Sequence, residues 1–119
     1  MNDNSKRGYS EEELNNIYEL GRLFAETGQV RKAEKIFTGL TSVAPAFLPG
    51  WLGLGYTNTY HRNYVNAHQV ALQAIKLDEN SSEAMMLISV VSLILGDFNS
   101  AGTYLGEVGE RIETGSVKD

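Results

Sequence analysis

Four sets of residues in this chain recur at one fixed spacing, and that spacing constrains the fold more than any other feature. Ala33, Ala67 and Ala101 lie 34 residues apart each time; so do Leu20, Leu54 and Ile88; Val30, Tyr64 and Phe98; and Gly21, Gly55 and Ser89. Gly28 and Gly96 match in the first and third units, with Arg62 between them. A period of this length signals stacked supersecondary units, none of which can bury its apolar face alone. Small residues at two recurring positions let helices cross closely, while the leucines and the residue at the turn fill the wedge around them.

Local signals within each unit are helical. Ser10 and Glu13 form a capping box ahead of Leu14, Ile17, Tyr18, Leu20, Phe24 and Ala25, which recur at helical spacing until Glu26-Thr27-Gly28 stops the helix. Further helices are predicted over 30–43, ended by Pro45, over 48–60, opened by Pro49 and Gly50, and over 64–77. Asn80 with Glu83 repeats the capping logic for a helix over 82–95, and Gly96-Asp97 turns the chain into a last helix over 98–112. The expected organisation is a frayed start (1–9), one domain over 10–113 with repeats near 14–47, 48–81 and 82–115, and a flexible tail (114–119).

Trp51, Leu54 and Gly55, with Ala67 and Ala74 behind them, resemble the "Trp, two residues, Leu-Gly" signature of the tetratricopeptide repeat. The first unit carries Leu20, Gly21, Phe24, Ala33, Phe37 and Pro45 in the same register; the second has Glu79 where proline is usual, and the third is the most diverged. The resemblance implies an all-α fold of three tandem helix-turn-helix repeats in a short right-handed superhelix. It also implies a concave groove, lined by the first helix of each repeat, where ligands are held.

By register, the groove positions are Asn15, Tyr18, Arg22 and Glu26 in the first repeat, Leu52, Tyr56, Thr59 and Tyr60 in the second, and Glu83, Met86, Val90 and Leu93 in the third. A known groove chemistry of the family is a clamp of Lys, Asn and Arg that grips a C-terminal carboxylate. Here Tyr18, Arg22, Gly53, Glu83 and Leu87 occupy the clamp's places, leaving at most one cation. The surface offered instead, Tyr18, Leu52, Tyr56, Tyr60, Met86 and Val90 beside Arg22, suits an amphipathic helix or an extended peptide with apolar anchors.

The segment Ser82–Leu95 is apolar nearly all the way round, which predicts burial on every side. Its own repeat covers only part of it, and no polar capping helix follows Ile112 in this sequence, so a homodimer, a constitutive partner or a small helical co-chaperone is expected to complete the cover. A core helix covered within the monomer is the alternative.

No reaction chemistry is legible. His61 and His68 lack a carboxylate at metal-ligand spacing and read as surface or turn residues. Gly50, Gly53 and Gly55 follow no strand and lack the dinucleotide fingerprint. Glu11–Glu13 mark a helix start, and Asp78 and Glu79 a helix end. With no cysteine, thiolate catalysis, disulfides and Cys-based zinc sites are excluded. No enzyme activity, metal or cofactor is expected. A net charge of -5 with only 10 Lys and Arg argues against nucleic acid. The N-terminus lacks an apolar signal core and 84–95 is too short to span a bilayer, so a cytoplasmic protein without membrane insertion is expected.

Within the repeat family, the run from Leu40 to Gly55 and the later Leu95-Gly-Asp-Phe with Ala101 and Leu105 resemble the three-repeat chaperones of bacterial type III secretion. The resemblance implies a groove that keeps a secreted subunit from assembling before export. The wording around Trp51 is closer to the translocator chaperones, which carry an extra N-terminal helical arm; the short length is closer to the needle-subunit chaperones. The alternative to a secretion chaperone is a general scaffold or homo-oligomerising module.

Overall fold

A computed structural model of the protein describes residues 8–114, and the stretches 1–7 and 115–119, expected to be frayed or flexible, lie outside them. Among the described residues there are six helices and no strand: α1 (Glu11–Glu26), α2 (Val30–Val43), α3 (Leu48–Tyr60), α4 (Tyr64–Leu77), α5 (Ser82–Leu95) and α6 (Phe98–Thr114). Each helix packs on the next, and α1, α3 and α5 also touch one another in series along one side. The architecture is a tetratricopeptide-like stack of three helix pairs.

The caps follow from the sequence with one correction. Ser10 Oγ accepts the Glu13 N–H at 3.1 Å and Glu13 Oε1 accepts the Ser10 N–H at 2.8 Å, completing the capping box. At α5 the cap is Ser81, whose Oγ accepts the Ala84 N–H at 3.1 Å, and not Asn80. The Asn80 N–H is instead turned onto Asp78 Oδ1 at 2.9 Å, which places Asn80 one residue outside the helix.

The turn inside each repeat is built the same way three times. The N–H groups of Gln29, Asn63 and Asp97 each donate to the carbonyl five residues back, on Phe24, Asn58 and Ser92, at 2.8 Å. This Schellman-type closure needs a left-handed residue just before the donor. Gly28 (φ 84) and Gly96 (φ 86) supply it without strain, and Arg62 (φ 65) supplies it with a side chain attached.

The recurring positions are not equally buried, because their surroundings depend on where the repeat sits in the stack. The alanines Ala33, Ala67 and Ala101 are buried in all three repeats. The leucine-type position runs from Leu20, 44% exposed, through half-buried Leu54 to Ile88 at 1%. The turn position runs the other way, from buried Val30 through half-buried Tyr64 to Phe98 at 69%. One face of each repeat is covered by the repeat before it and another by the repeat after it, so Leu20 and Phe98 are left open at opposite ends.

Glycine serves this packing differently from the expectation of bare backbone crossing. A Cβ on Gly21 would lie 2.6 Å from Phe37 Cε1, and a Cβ on Gly53 would lie 2.6 Å from the same atom. Phe37, only 2% exposed, is therefore held in a notch between a glycine of its own repeat and a glycine of the next. At Gly55 the obstructing group is the tip of Leu87, reaching across from the third repeat.

These contacts separate three substitutions. Gly53→Ala drives a methyl into a ring that is trapped on both sides, and should lower unfolding free energy by about 1–3 kcal/mol despite the better helix propensity. Gly55→Ala meets the end of a flexible, half-exposed side chain and should change stability by less than about 0.5 kcal/mol. Arg62→Gly relieves a left-handed side chain and should raise stability by about 0.5–1 kcal/mol. Urea denaturation followed by circular dichroism measures all three.

Candidate functional site

Positions four apart on a helix share a face, so Tyr18, Arg22 and Glu26 on α1, Leu52 and Tyr56 on α3, and Met86 and Val90 on α5 each form a row. The three rows meet around one open cavity of about 550 Å³, completed by Ala25, Phe37, Gly53, Thr59, Glu83 and Leu87. Of the residues put forward from the sequence, Tyr18, Arg22, Leu52, Tyr56, Met86 and Val90 line it together. Tyr60 does not. It lines a separate cleft with the turn of the first repeat, Gly28 to Lys32, and packs edge-on against His61 with ring centroids 5.5 Å apart. The physical reason is position along the axis: Tyr60 continues the row of Leu52 and Tyr56 but is the last residue of α3, a full turn beyond Tyr56, which carries it past the end of the cavity and beside the turn of the first repeat.

His61 also departs from a plain surface residue. It ends α3 with 24% of its side chain exposed, and its Nε2 lies 3.7 Å from Glu34 Oε1 of α2, so it sits between the first two repeats.

The floor of the cavity is Phe37, which the sequence placed only in the repeat register of the first unit and not among the groove residues. Tyr18 lies against it, with ring centroids 5.8 Å apart and the planes tilted by 40°. Gly53 is the signal that could have located this floor. Its missing side chain is what makes room for the Phe37 ring beneath the groove.

All five places of the carboxylate clamp, Tyr18, Arg22, Gly53, Glu83 and Leu87, line this same cavity, so the substitutions there define its chemistry. Arg22, the cation among them, is already engaged. Its Nε donates to Glu19 Oε1 at 2.9 Å and its Nη1 donates to Glu26 Oε2, and these partners hold the guanidinium pKa above its ordinary value. Glu83 forms no salt bridge with any described residue. The Tyr18 phenol is pushed above its usual range chiefly by burial and then by the Glu83 charge, with Arg22 acting weakly against them. The cavity thus presents apolar walls, a tyrosine hydroxyl and one carboxylate that lacks a cationic partner among the described residues.

The apolar helix α5 is not buried on every side. Ala84, Met85, Ile88, Ser89, Val91 and Ser92 are buried, whereas Met86, Val90, Leu93, Ile94 and Leu95 are each between 44% and 52% exposed. Packing against α4 and α6 covers one flank, and the groove face and the turn end remain open. No group of three or more His, Cys, Asp or Glu that could hold a metal occurs among the described residues. None of the described helices is long and apolar enough to cross a membrane.

The fold and site define a class: a three-repeat helical solenoid with an apolar concave groove. By sequence the chain matches no family model and no curated protein. Solved structures of this shape include PcrH from Pseudomonas aeruginosa, 27% identical, with 86% of this chain and 77% of that one aligned at a TM-score of 0.78. They include the Yersinia enterocolitica type III secretion translocator chaperone SycD, 21% identical, with 87% and 79% aligned at 0.79. The second tetratricopeptide domain of Spaghetti (RPAP3), bound to the HSP90 peptide SRMEEVD, is 21% identical, with 80% and 88% aligned at 0.76. The structural neighbours of this chain are thus tetratricopeptide proteins and type III secretion translocator chaperones.

The Tyr18 shift has a definite sign. Because the folded state disfavours the phenolate, its contribution to stability is complete below the unfolded tyrosine value of 10.0 and is lost as pH rises through the higher folded value. Ultraviolet titration should show one tyrosine ionising after the exposed ones. Glu83→Gln should bring that transition down, and Tyr18→Phe should abolish it.

Proposed function

We propose that this protein is a non-enzymatic chaperone or adaptor that holds an apolar segment of a partner protein in the groove between α1, α3 and α5, on the cytoplasmic side and before the partner assembles. The observation that carries the reading is the groove itself. Tyr56, Met86 and Val90 are 51%, 52% and 45% exposed around a single cavity, with half-buried Leu52 beside them. Apolar side chains left half in water on two neighbouring inner helices are stabilised by a partner that covers them.

Type III secretion supplies a functional parallel. PcrH has been solved with the chaperone binding region of PopB, and SycD with a peptide of the translocator YopD. By that parallel the segment bound here belongs to a secretion subunit whose exposed apolar stretch would otherwise drive premature association. The HSP90-tail mode represented by Spaghetti is disfavoured, because an acidic peptide would meet Glu83 and an arginine already held by two carboxylates.

A second reading, a self-assembling module, is favoured by a separate patch. Ile94, Leu95 and Phe98 are 48%, 45% and 69% exposed at the turn between α5 and α6, and none of them lines the groove cavity.

Leu52→Asp and Tyr56→Asp should each weaken the native partner, recovered by co-purification from the source organism, by about thirtyfold or more in calorimetry, with the helical circular dichroism spectrum unchanged. Ile94→Glu should leave that binding intact. Partner affinity unaltered by both groove substitutions, together with a dimer that Ile94→Glu splits in light scattering, would replace the chaperone reading with the self-assembling one.

A further inference from the structure

The groove is apolar, yet its charges are arranged asymmetrically, and this asymmetry specifies what the bound segment must carry. On α1 the one cation, Arg22, is held by both Glu19 and Glu26 along the helix surface, so it is not free to meet an acidic ligand. On α5 Glu83 stands without a cation among the described residues, in the same cavity wall as Met86 and Val90. Its field reaches across the cavity to the Tyr18 hydroxyl. A partner segment laid over this wall excludes water from around Glu83, which strengthens both the penalty for leaving the carboxylate unpaired and the reward for pairing it.

We infer, resting on the chaperone reading above, that the groove selects an apolar segment bearing one basic residue. That residue seats between the Glu83 carboxylate and the Tyr18 hydroxyl while its apolar neighbours occupy the surfaces of Leu52, Tyr56, Met86 and Val90. The phenol matches this role because it stays protonated: its oxygen accepts from a Lys or Arg N–H while its own O–H remains available to a partner carbonyl. Lysine and arginine also suit the surrounding wall, since their methylene stems lie along apolar surface while the charged head reaches the carboxylate. The cavity therefore discriminates by charge sign against acidic segments of equal hydrophobicity.

Panning a displayed random-peptide library against the purified chain tests this. The expected result is enrichment of apolar peptides that share one Lys or Arg at a fixed distance from the apolar anchors. A selected peptide should bind about tenfold more tightly than its Lys→Glu counterpart, and this ratio should shrink to about twofold on Glu83→Gln and as salt is raised. Glu83→Lys should reverse the order of the two peptides. Enrichment of apolar peptides with no basic residue, or a preference untouched by Glu83→Gln, would overturn the basic-residue inference and leave the chaperone reading standing. Failure to enrich any apolar peptide, with wild-type helicity confirmed by circular dichroism, would overturn both.

Discussion

The structure depends on one wedge, the Phe37 ring set between Gly21 and Gly53. The ring joins the two helices of the first repeat to the first helix of the second, and both glycines are needed because a methyl on either would stand well inside van der Waals contact. Burying a phenylalanine contributes about 2–3 kcal/mol, and the same burial sets the spacing of α1 and α3. The wedge is also the floor of the groove, with Tyr18 packed on it from above. Stability and the ligand surface are therefore coupled through a single side chain.

Each repeat is closed by the same hydrogen-bonded turn and carries the same buried alanine, yet the three are not equivalent in the stack. Coverage by neighbours decides which residues become core. Leu20 and Ile88 occupy the same place in their repeats, but Ile88 has a preceding repeat against it and Leu20 has none within this chain. Phe98 shows the converse at the other end. A solenoid of three units has only one internal repeat, so its end faces form a large part of its surface and of its interaction capacity.

Along the groove the chemistry changes in one direction, from charged α1, through the tyrosine and leucine of α3, to the aliphatic and methionine surface of α5. Half-exposed methionine and valine beside rigid tyrosines combine an adaptable surface with anchoring rings, which fits a site that receives a segment of another chain. Within the groove, Arg22 of α1 holds Glu19 and Glu26, which leaves Glu83 as the cavity carboxylate without a cation among the described residues. A groove of this kind discriminates by shape and charge sign and needs no reacting group.

The sequence by itself determined the repeat, its register and where the helices start, because a fixed 34-residue spacing, helix-start residues and glycine turns are local or periodic signals. It also placed Tyr18, Leu52, Tyr56, Met86 and Val90 on inner faces, since position along a helix sets direction. Only the tertiary structure decided that Phe37 underlies the groove, that Gly53 rather than a backbone crossing makes room for it, and that Tyr60 turns away toward the first repeat. It likewise decided that Arg22 is held by Glu19 and Glu26, while Glu83 has no cation beside it among the described residues. Those outcomes depend on which side chains from separate helices come within a few ångströms of one another, and a periodic pattern along one chain carries no information about that distance.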